Sequence, residues 1–150
     1  MRIVSRILFP ILLLSLLLTA CNTKQEETPE VAAVSSFVLA ENGVSEFLIV
    51  RPEKASQEEI DIALALGRLF KEKLGVKVTL RDDFVHEGTD FVMTDAEILV
   101  GLTNRPESTD AYEGLEPDTF RILQKGTRLA IAYSSISAGE AALKWMADNC

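Results

Sequence analysis

The sequence is poor in the residue types that build metal centres and nucleophilic sites. Its 150 residues include one histidine, two cysteines and one tryptophan. So few histidine and cysteine ligands cannot complete a structural zinc site, and we predict neither a metal nor a cofactor. Basic residues are also scarce, since 15 Lys and Arg stand against 23 Asp and Glu. An acidic surface repels phosphate backbones, so the composition argues against nucleic acid as a partner.

An apolar run at the start of the chain is the feature that the sequence has in abundance. Arg2 and Arg6 precede a mostly apolar stretch over residues 7–20, which ends in two small residues before Cys21. As a helix this stretch would span about 21 Å at ~1.5 Å per residue. That length is short of the ~30 Å hydrocarbon core of a bilayer, which argues against a permanent membrane span. A short apolar run with a basic start is typical of a cleaved signal peptide.

The four residues Leu18-Thr19-Ala20-Cys21 resemble the lipobox of a bacterial lipoprotein signal peptide. The resemblance implies that residues 1–20 are removed and that Cys21 receives a diacylglyceryl lipid. The protein would then be anchored to the outer face of the bacterial cell membrane, and more than one acyl chain is what stable anchoring requires. An ordinary secretory signal cut near Ala20, followed by an incidental cysteine, is the alternative.

A polar tether would open the mature chain. Residues 22–34 are rich in glutamate and threonine and lack apolar periodicity, so we predict a flexible tether over residues 21–34 and a folded domain over residues 35–150. Without the two leader arginines, 13 basic residues remain against 23 acidic ones, a net charge of −10. With Cys21 lipidated, Cys150 has no disulfide partner. The fold therefore depends on its apolar core.

The pattern of apolar residues in the folded part predicts an α/β fold. We expect the order strand, strand, helix, four strands, helix. The strands are expected at residues 37–40, 47–50, 76–80, 96–101, 119–123 and 128–133, and the helices at residues 56–74 and from residue 137 onward. Two helices packed on one face of a mixed β-sheet give a two-layer sandwich.

Local signals fix the expected ends of these elements. Capping-box patterns at residues 56–59 and 137–140 predict the starts of the two helices. Asn42-Gly43 predicts a tight hairpin turn, and residues 103–116 are expected to form a long loop. The apolar stripe of the first helix is expected to comprise Ile60, Ala63, Leu64, Gly67 and Leu74, widened by Ile62, Leu66, Leu69 and Phe70.

Thr103, Asn104 and Arg105 are candidates for ligand binding, because they follow an apolar strand and loops at strand ends often carry function. The alternative interpretation is that Thr103 and Asn104 hydrogen-bond the backbone of their own turn, which Pro106 stiffens.

Two other polar motifs are weaker candidates for a functional site. Asp82 and Asp83 are neighbours that would face opposite sides of a strand, and we interpret both as solvated charges. His86-Glu87 matches the start of a zincin motif, but Asp90 stands where the second histidine is needed.

A resemblance to a known domain accounts for the order of these segments. Residues 96–108, Ala-Glu-Ile-Leu-Val-Gly-Leu-Thr-Asn-Arg-Pro-Glu-Ser, resemble part of the non-catalytic N-terminal domain of family 20 glycoside hydrolases (β-hexosaminidases) and of α-glucuronidases. Residues 47–50 with the following helix, residues 118–122, and residues 126–133 with the last helix fit the same domain. In that family the catalytic acid lies in a following (β/α)8 barrel, for which residues 1–150 leave no room. No catalytic residue is therefore carried over.

The sequence thus predicts a membrane-anchored lipoprotein with a non-catalytic accessory domain of the carbohydrate-active-enzyme type. Such a domain would pack against a protein partner or a C-terminal catalytic domain. Two alternatives stay open, which are a free-standing lipoprotein that binds glycans or small solutes, and the N-terminal fragment of a longer glycosidase.

Overall fold

The computed structural model describes residues 38–85 and 94–150. The predicted signal peptide, Cys21, the tether and the His86-Glu87 motif lie outside the described residues. Within the described ranges, no helix is long and apolar enough to cross a membrane.

The described chain forms one mixed sheet with helices on both faces. The elements are β1 (Leu48–Arg51), α1 (Gln57–Leu74), β2 (Thr79–Asp82), β3 (Glu97–Val100), α2 (Pro106–Tyr112), β4 (Phe120–Lys125), β5 (Arg128–Tyr133) and α3 (Ile136–Asn149). The strand order is β2-β1-β3-β5-β4. Strands β1, β2, β3 and β5 are parallel, and β4 runs antiparallel to β5 at one edge. The predicted α/β class with a mixed sheet is confirmed.

Two apolar layers lie on either side of the sheet, because successive strand residues point to opposite faces. Ile49 and Ile98 belong to the larger layer, which includes the buried side chains of α1 and α3. Their neighbours Val50 and Leu99 belong to the smaller layer, together with Ala111 of α2. The two long helices therefore share one face, as predicted, and the short α2 covers part of the other.

Helix α1 begins and ends where the sequence predicts. The Ser56 hydroxyl accepts the N–H of Glu59 at 3.3 Å, and the Glu59 carboxylate accepts the N–H of Ser56 at 2.7 Å. Gly75 ends the helix in the left-handed region at a φ of 71°. The predicted stripe is displaced, since Leu64 is 41% exposed. The buried residues of the helix are Ile62, Ala63, Leu66 and Phe70. This face buries more apolar area than the predicted one, because its side chains are larger.

The segment before β1 forms a turn but no strand within residues 38–40. Asn42 and Gly43 both have positive φ, as a tight hairpin turn requires, and two backbone hydrogen bonds join Glu41 and Val44 at 2.9 and 3.0 Å. The pairing stops at this one bridge. The Ser45 hydroxyl donates a hydrogen bond to the Leu39 carbonyl at 2.7 Å. This local bond replaces the backbone pairing that a β-strand would give.

Three other predicted boundaries were wrong. Strand β2, expected at residues 76–80, lies at Thr79–Asp82. Residues 103–116, expected to be a loop, contain α2, which starts with Pro106 in the first helical turn, where its missing N–H costs nothing. Helix α3 starts earlier than predicted, because the Ser135 hydroxyl accepts the N–H of Ala138 at 3.3 Å and caps the helix. Ser137 lies in the first turn instead.

Candidate functional site

The carboxyl ends of β1, β2 and β3 meet at one edge of the sheet. From β1 the chain passes through α1 on one face, whereas from β3 it passes through α2 on the opposite face. Open α/β sheets bind ligands at such a switch point, outside the carboxyl ends of the strands. We refer to residues 52–54, 83–85 and 101–104, which follow these three strands, as the carboxyl edge.

Asp83 joins the three loops of the carboxyl edge. Its buried carboxylate accepts the backbone N–H of Glu53 at 2.8 Å and that of Asn104 at 2.6 Å. The Asn104 side chain donates to the Asp83 carbonyl at 2.7 Å, and the Asp83 N–H donates to the Arg51 carbonyl at 2.9 Å. The interpretation of Asp83 as a solvated charge was therefore wrong, because two backbone donors replace water around its carboxylate.

Gly101 allows β3 to turn close to Tyr133 and Pro52. Its φ is +82°, and a Cβ placed on it would lie 3.3 Å from the Tyr133 hydroxyl and 3.6 Å from the Pro52 ring. The Tyr133 hydroxyl is buried, and no described residue gives it a hydrogen-bond partner. Burial raises the pKa of Tyr133 well above its ordinary value, and the charges of Tyr112 and Glu59 add to the effect.

An open depression of about 490 Å³ lies between the loops of the carboxyl edge. Glu53, Lys54 and Asn104 supply its polar lining. The exposed side chains of Phe84 and Val85 and of Leu102, which is 56% exposed, supply its apolar lining. The surface is therefore wide, shallow and mixed in character, which suits contact with another molecule's surface.

The three candidate residues direct their polar groups into the fold. Arg105 is buried and donates two hydrogen bonds to the Glu97 carboxylate. Its Nε lies 3.0 Å from Oε2, and its Nη2 lies 3.1 Å from Oε1. The hydroxyls of Thr103 and Ser108 share a hydrogen bond of 2.7 Å. Asn104 is exposed, yet its backbone and side-chain nitrogens bond to Asp83, and its side-chain oxygen accepts from Arg105. The structure thus places these side chains in the support of the turn.

Sequence reasoning missed a charge cluster on the α2 face of the sheet, formed by Glu97, Arg105, Glu107 and Arg128. Glu97 has no exposed surface, and its Oε2 also accepts from Arg128 Nε at 3.1 Å. Arg128 donates a hydrogen bond to the Glu107 carboxylate at 2.9 Å. This hydrogen bond raises the pKa of Arg128 above its ordinary value. The one sequence signal of this cluster was a single acidic residue, Glu97, at the start of an otherwise apolar strand.

Comparison with known proteins adds no family. The sequence matches no protein-family model and no curated protein. In the described part of the chain, no group of three or more His, Cys, Asp or Glu residues is arranged to hold a metal ion.

Proposed function

We propose that this chain is a lipid-anchored extracytoplasmic protein of the bacterial cell membrane. Its folded domain would be a non-catalytic accessory domain of the kind that precedes glycosidase barrels. The anchor rests on the signal pattern that ends at Cys21, and the accessory role rests on the resemblance of residues 47–146. The observation that carries the proposal is the arrangement of the carboxyl edge, where buried polar groups bind the loops together and large apolar side chains are exposed beside polar ones.

Buried carboxylates at this edge and beneath α2 are engaged in structure. Asp83 accepts two backbone N–H groups, and Glu97 accepts from two arginines. Glycoside hydrolysis needs two carboxyl groups on either side of the substrate bond, at ~5–5.5 Å for retaining and ~6.5–9.5 Å for inverting enzymes. A carboxylate that is already saturated with donors inside the fold is poorly suited to either role. Support for the loops is the function that these contacts favour.

Exposed apolar groups at the carboxyl edge favour contact with a protein. Phe84, Val85 and Leu102 lie in loops that enter the edge from two different strands. Three such side chains around one depression form a patch of the kind that marks interaction sites. An accessory domain would use the patch to pack against a catalytic domain or a separate partner.

Binding of a glycan or another small solute is the second candidate, and the same depression favours it. The Phe84 ring and the polar groups of Lys54 and Asn104 line one open volume of about 490 Å³. An aromatic ring beside hydrogen-bonding groups can bind a sugar, which has an apolar face and polar edges.

The test combines the mass of the protein with its activity. The chain is produced in a bacterial host, and the intact mass of the membrane-extracted protein is compared with that of the Cys21→Ala variant. We expect wild type to lack residues 1–20 and to carry a diacylglyceryl group, whereas Cys21→Ala keeps its leader and gains no lipid. A wild-type protein without lipid would overturn the anchor.

The domain's role is tested with the same preparation. We expect no turnover of chromogenic N-acetylhexosaminides or glucuronides, and measurable turnover by the purified protein would overturn the accessory role. Saturable binding of an oligosaccharide, weakened by Phe84→Ala, would favour the solute-binding candidate instead.

A further inference from the structure

A second apolar surface lies at the opposite end of the parallel strands, where α1 and α3 end. It is a groove of about 480 Å³, which we call the amino-end groove. Its lining includes Val38, Leu39, Leu74, Ile122, Trp145 and Met146. Residues 38–40 precede β1, and the parallel strands of the sheet start at this end. The groove and the carboxyl edge therefore face in opposite directions.

Two large apolar side chains in the segment that leads into β1 are exposed, and the first of them lines the groove. Val38 is 65% exposed, and Val44, in the turn that follows residues 38–40, is 64% exposed. Trp145 is half-buried on the last two turns of α3 and packs against the larger apolar layer. Tryptophan has an amphipathic ring that favours the level of lipid headgroups at a bilayer surface. The groove thus combines aliphatic side chains with an aromatic residue suited to an interface.

The path of the chain connects this groove with the lipid anchor. Val38 lines the groove and stands 17 residues after Cys21. A segment of that length spans at most about 60 Å at ~3.3–3.6 Å per residue. The flexible tether that the sequence predicts over residues 21–34 would have an r.m.s. length of only ~20 Å. A lipid on Cys21 would therefore hold this end of the domain next to the bilayer.

We propose that the amino-end groove, with Val38, Val44 and Trp145, docks on the surface of the bilayer that holds the Cys21 lipid. The inference rests on the proposed lipid anchor. Apolar side chains of a peripheral protein enter ~5–10 Å into the boundary between headgroups and acyl chains. Because the mature chain carries a net charge of −10, this contact depends on apolar insertion and favours zwitterionic lipid. The carboxyl edge would then point away from the membrane, toward a partner.

The single tryptophan makes this orientation measurable. The mature lipidated protein is reconstituted in phosphatidylcholine vesicles whose acyl chains carry bromine either near the headgroup or near the chain end. We expect Trp145 emission to shift to shorter wavelength on reconstitution. Quenching by the shallow bromines should be about twofold stronger than quenching by the deep ones, because the ring lies near the ~5–10 Å boundary.

Two exposed-site variants provide the matched comparison. Val38→Ser with Val44→Ser removes apolar groups beside the groove, and we expect it to reduce Trp145 quenching by about half, since insertion scales with buried apolar area. Leu102→Ser changes a side chain of similar exposure at the carboxyl edge and should leave the quenching unchanged. All three substitutions lie at exposed positions, and circular dichroism verifies the fold of both variants.

The outcomes separate the docking surface from the anchor. Vesicles that co-float with the protein while Trp145 stays unquenched would overturn the docking and leave the anchor standing. A protein without lipid that fails to float would overturn both. A shift in Trp145 emission that depends on protein concentration in detergent-free solution, without vesicles, would assign the groove to a second copy and overturn docking on lipid. Quenching that is equal in wild type and in the valine variant would assign the lipid contact to other residues and also overturn it.

Discussion

Glu97 and Arg105 form a two-point ion pair beneath α2, with donor–acceptor distances of 3.0 and 3.1 Å. The Arg105 side chain is 4% exposed, and the Glu97 side chain has no exposed surface. Removal of one partner from such a pair leaves a buried charge, at a cost of about 3–5 kcal/mol. We expect Arg105→Met to lower the free energy of unfolding by about that amount, measured by urea denaturation at pH 7.

Double substitution tests whether the loss comes from the charge left behind. The pair Glu97→Leu with Arg105→Met removes both charges, and Arg128 keeps its contact with Glu107. This variant should be more stable than Arg105→Met alone, because apolar replacement of a whole buried pair is often neutral. Losses that simply add would contradict the assignment of the cost to the buried Glu97 carboxylate, which keeps only Arg128 as its partner in Arg105→Met.

Asp83 should be far more important to stability than its neighbour Asp82. Asp83→Ala leaves the N–H groups of Glu53 and Asn104 without their acceptor, and each lost hydrogen bond to a charged group costs about 1.5–3 kcal/mol. Asp82 has an exposed side chain 3.8 Å from the guanidinium of Arg51, and an exposed pair of this kind contributes about 0–1 kcal/mol. We therefore expect a large loss for Asp83→Ala and a small one for Asp82→Ala.

Amide hydrogen exchange gives the local readout of this difference. The amides of Glu53 and Asn104 should exchange faster in Asp83→Ala, while those in the middle of α3 stay protected until the whole domain unfolds. Unchanged exchange at both amides would mean that the Asp83 carboxylate does not hold the loops in solution.

Two helical glycines should respond to alanine with opposite signs. A Cβ on Gly67 would lie 3.7 Å from Ile49 Cδ1, an ordinary contact, whereas a Cβ on Gly139 would lie 2.5 Å from Ile62 Cδ1 and 3.2 Å from the Tyr133 ring. Gly67→Ala should stabilise the protein by about 0.5–1 kcal/mol, because alanine is the better helix former. Gly139→Ala should destabilise it by about 1–3 kcal/mol through overpacking between α1 and α3.

Relief of the clash identifies its source. If Ile62 is what Gly139→Ala meets, shortening it by Ile62→Val should recover part of the loss in the double variant, as read from thermal unfolding. The same Ile62→Val change in the parent chain should only destabilise, by about 0.5–1.5 kcal/mol. A double variant whose losses add would place the clash at the Tyr133 ring.

The buried Tyr133 hydroxyl should lower the stability of the domain at alkaline pH. Its pKa is raised from the ordinary value of 10.0 chiefly by burial, so the folded protein keeps the phenol proton at pH values where the unfolded chain releases it. Stability is then independent of this group below pH ~10 and falls above it, by up to about 1.4 kcal/mol per pH unit for one proton. Urea denaturation from pH 8 to pH 11.5 measures the slope.

Tyr133→Phe separates this contribution from that of Tyr112, whose pKa is also raised by burial. At pH 7 the phenylalanine variant should be as stable as the parent or more stable by about 1 kcal/mol, since it removes a buried hydroxyl without a partner. Its alkaline slope should be shallower. A slope equal to that of the parent would show that Tyr133 does not titrate between the folded and unfolded states.

Sequence patterns predicted the elements whose determinants are local. The capping box of α1 lies within a few residues of the helix start, so this start was predicted. The apolar runs at residues 96–101 and 128–133 likewise predicted strands β3 and β5.

Helix α2 was missed because distant residues stabilise it. Arg121 on β4 donates to the carbonyls of Ala111 and Glu113 at 3.1 and 2.6 Å, which satisfies the end of the helix. Seven residues with four polar side chains would not form a helix alone. The role of Asp83 was missed for the same reason, since its partners Glu53 and Asn104 lie 30 and 21 residues away in the chain. Of the two arginines that bind Glu97, Arg105 lies 8 residues away and Arg128 lies 31 residues away.

Strand β1 comes first in the chain, yet its register partners lie far downstream, as in Leu48 with Thr79 and Leu48 with Glu97. Pairing over such separations is slow, because loop closure must precede every contact. A chain that emerges amino end first from an export channel would expose β1 until β3 arrives. Its apolar residues Ile49 and Val50 would need protection during that interval, so folding of a chain that emerges in this way is expected to depend on a chaperone.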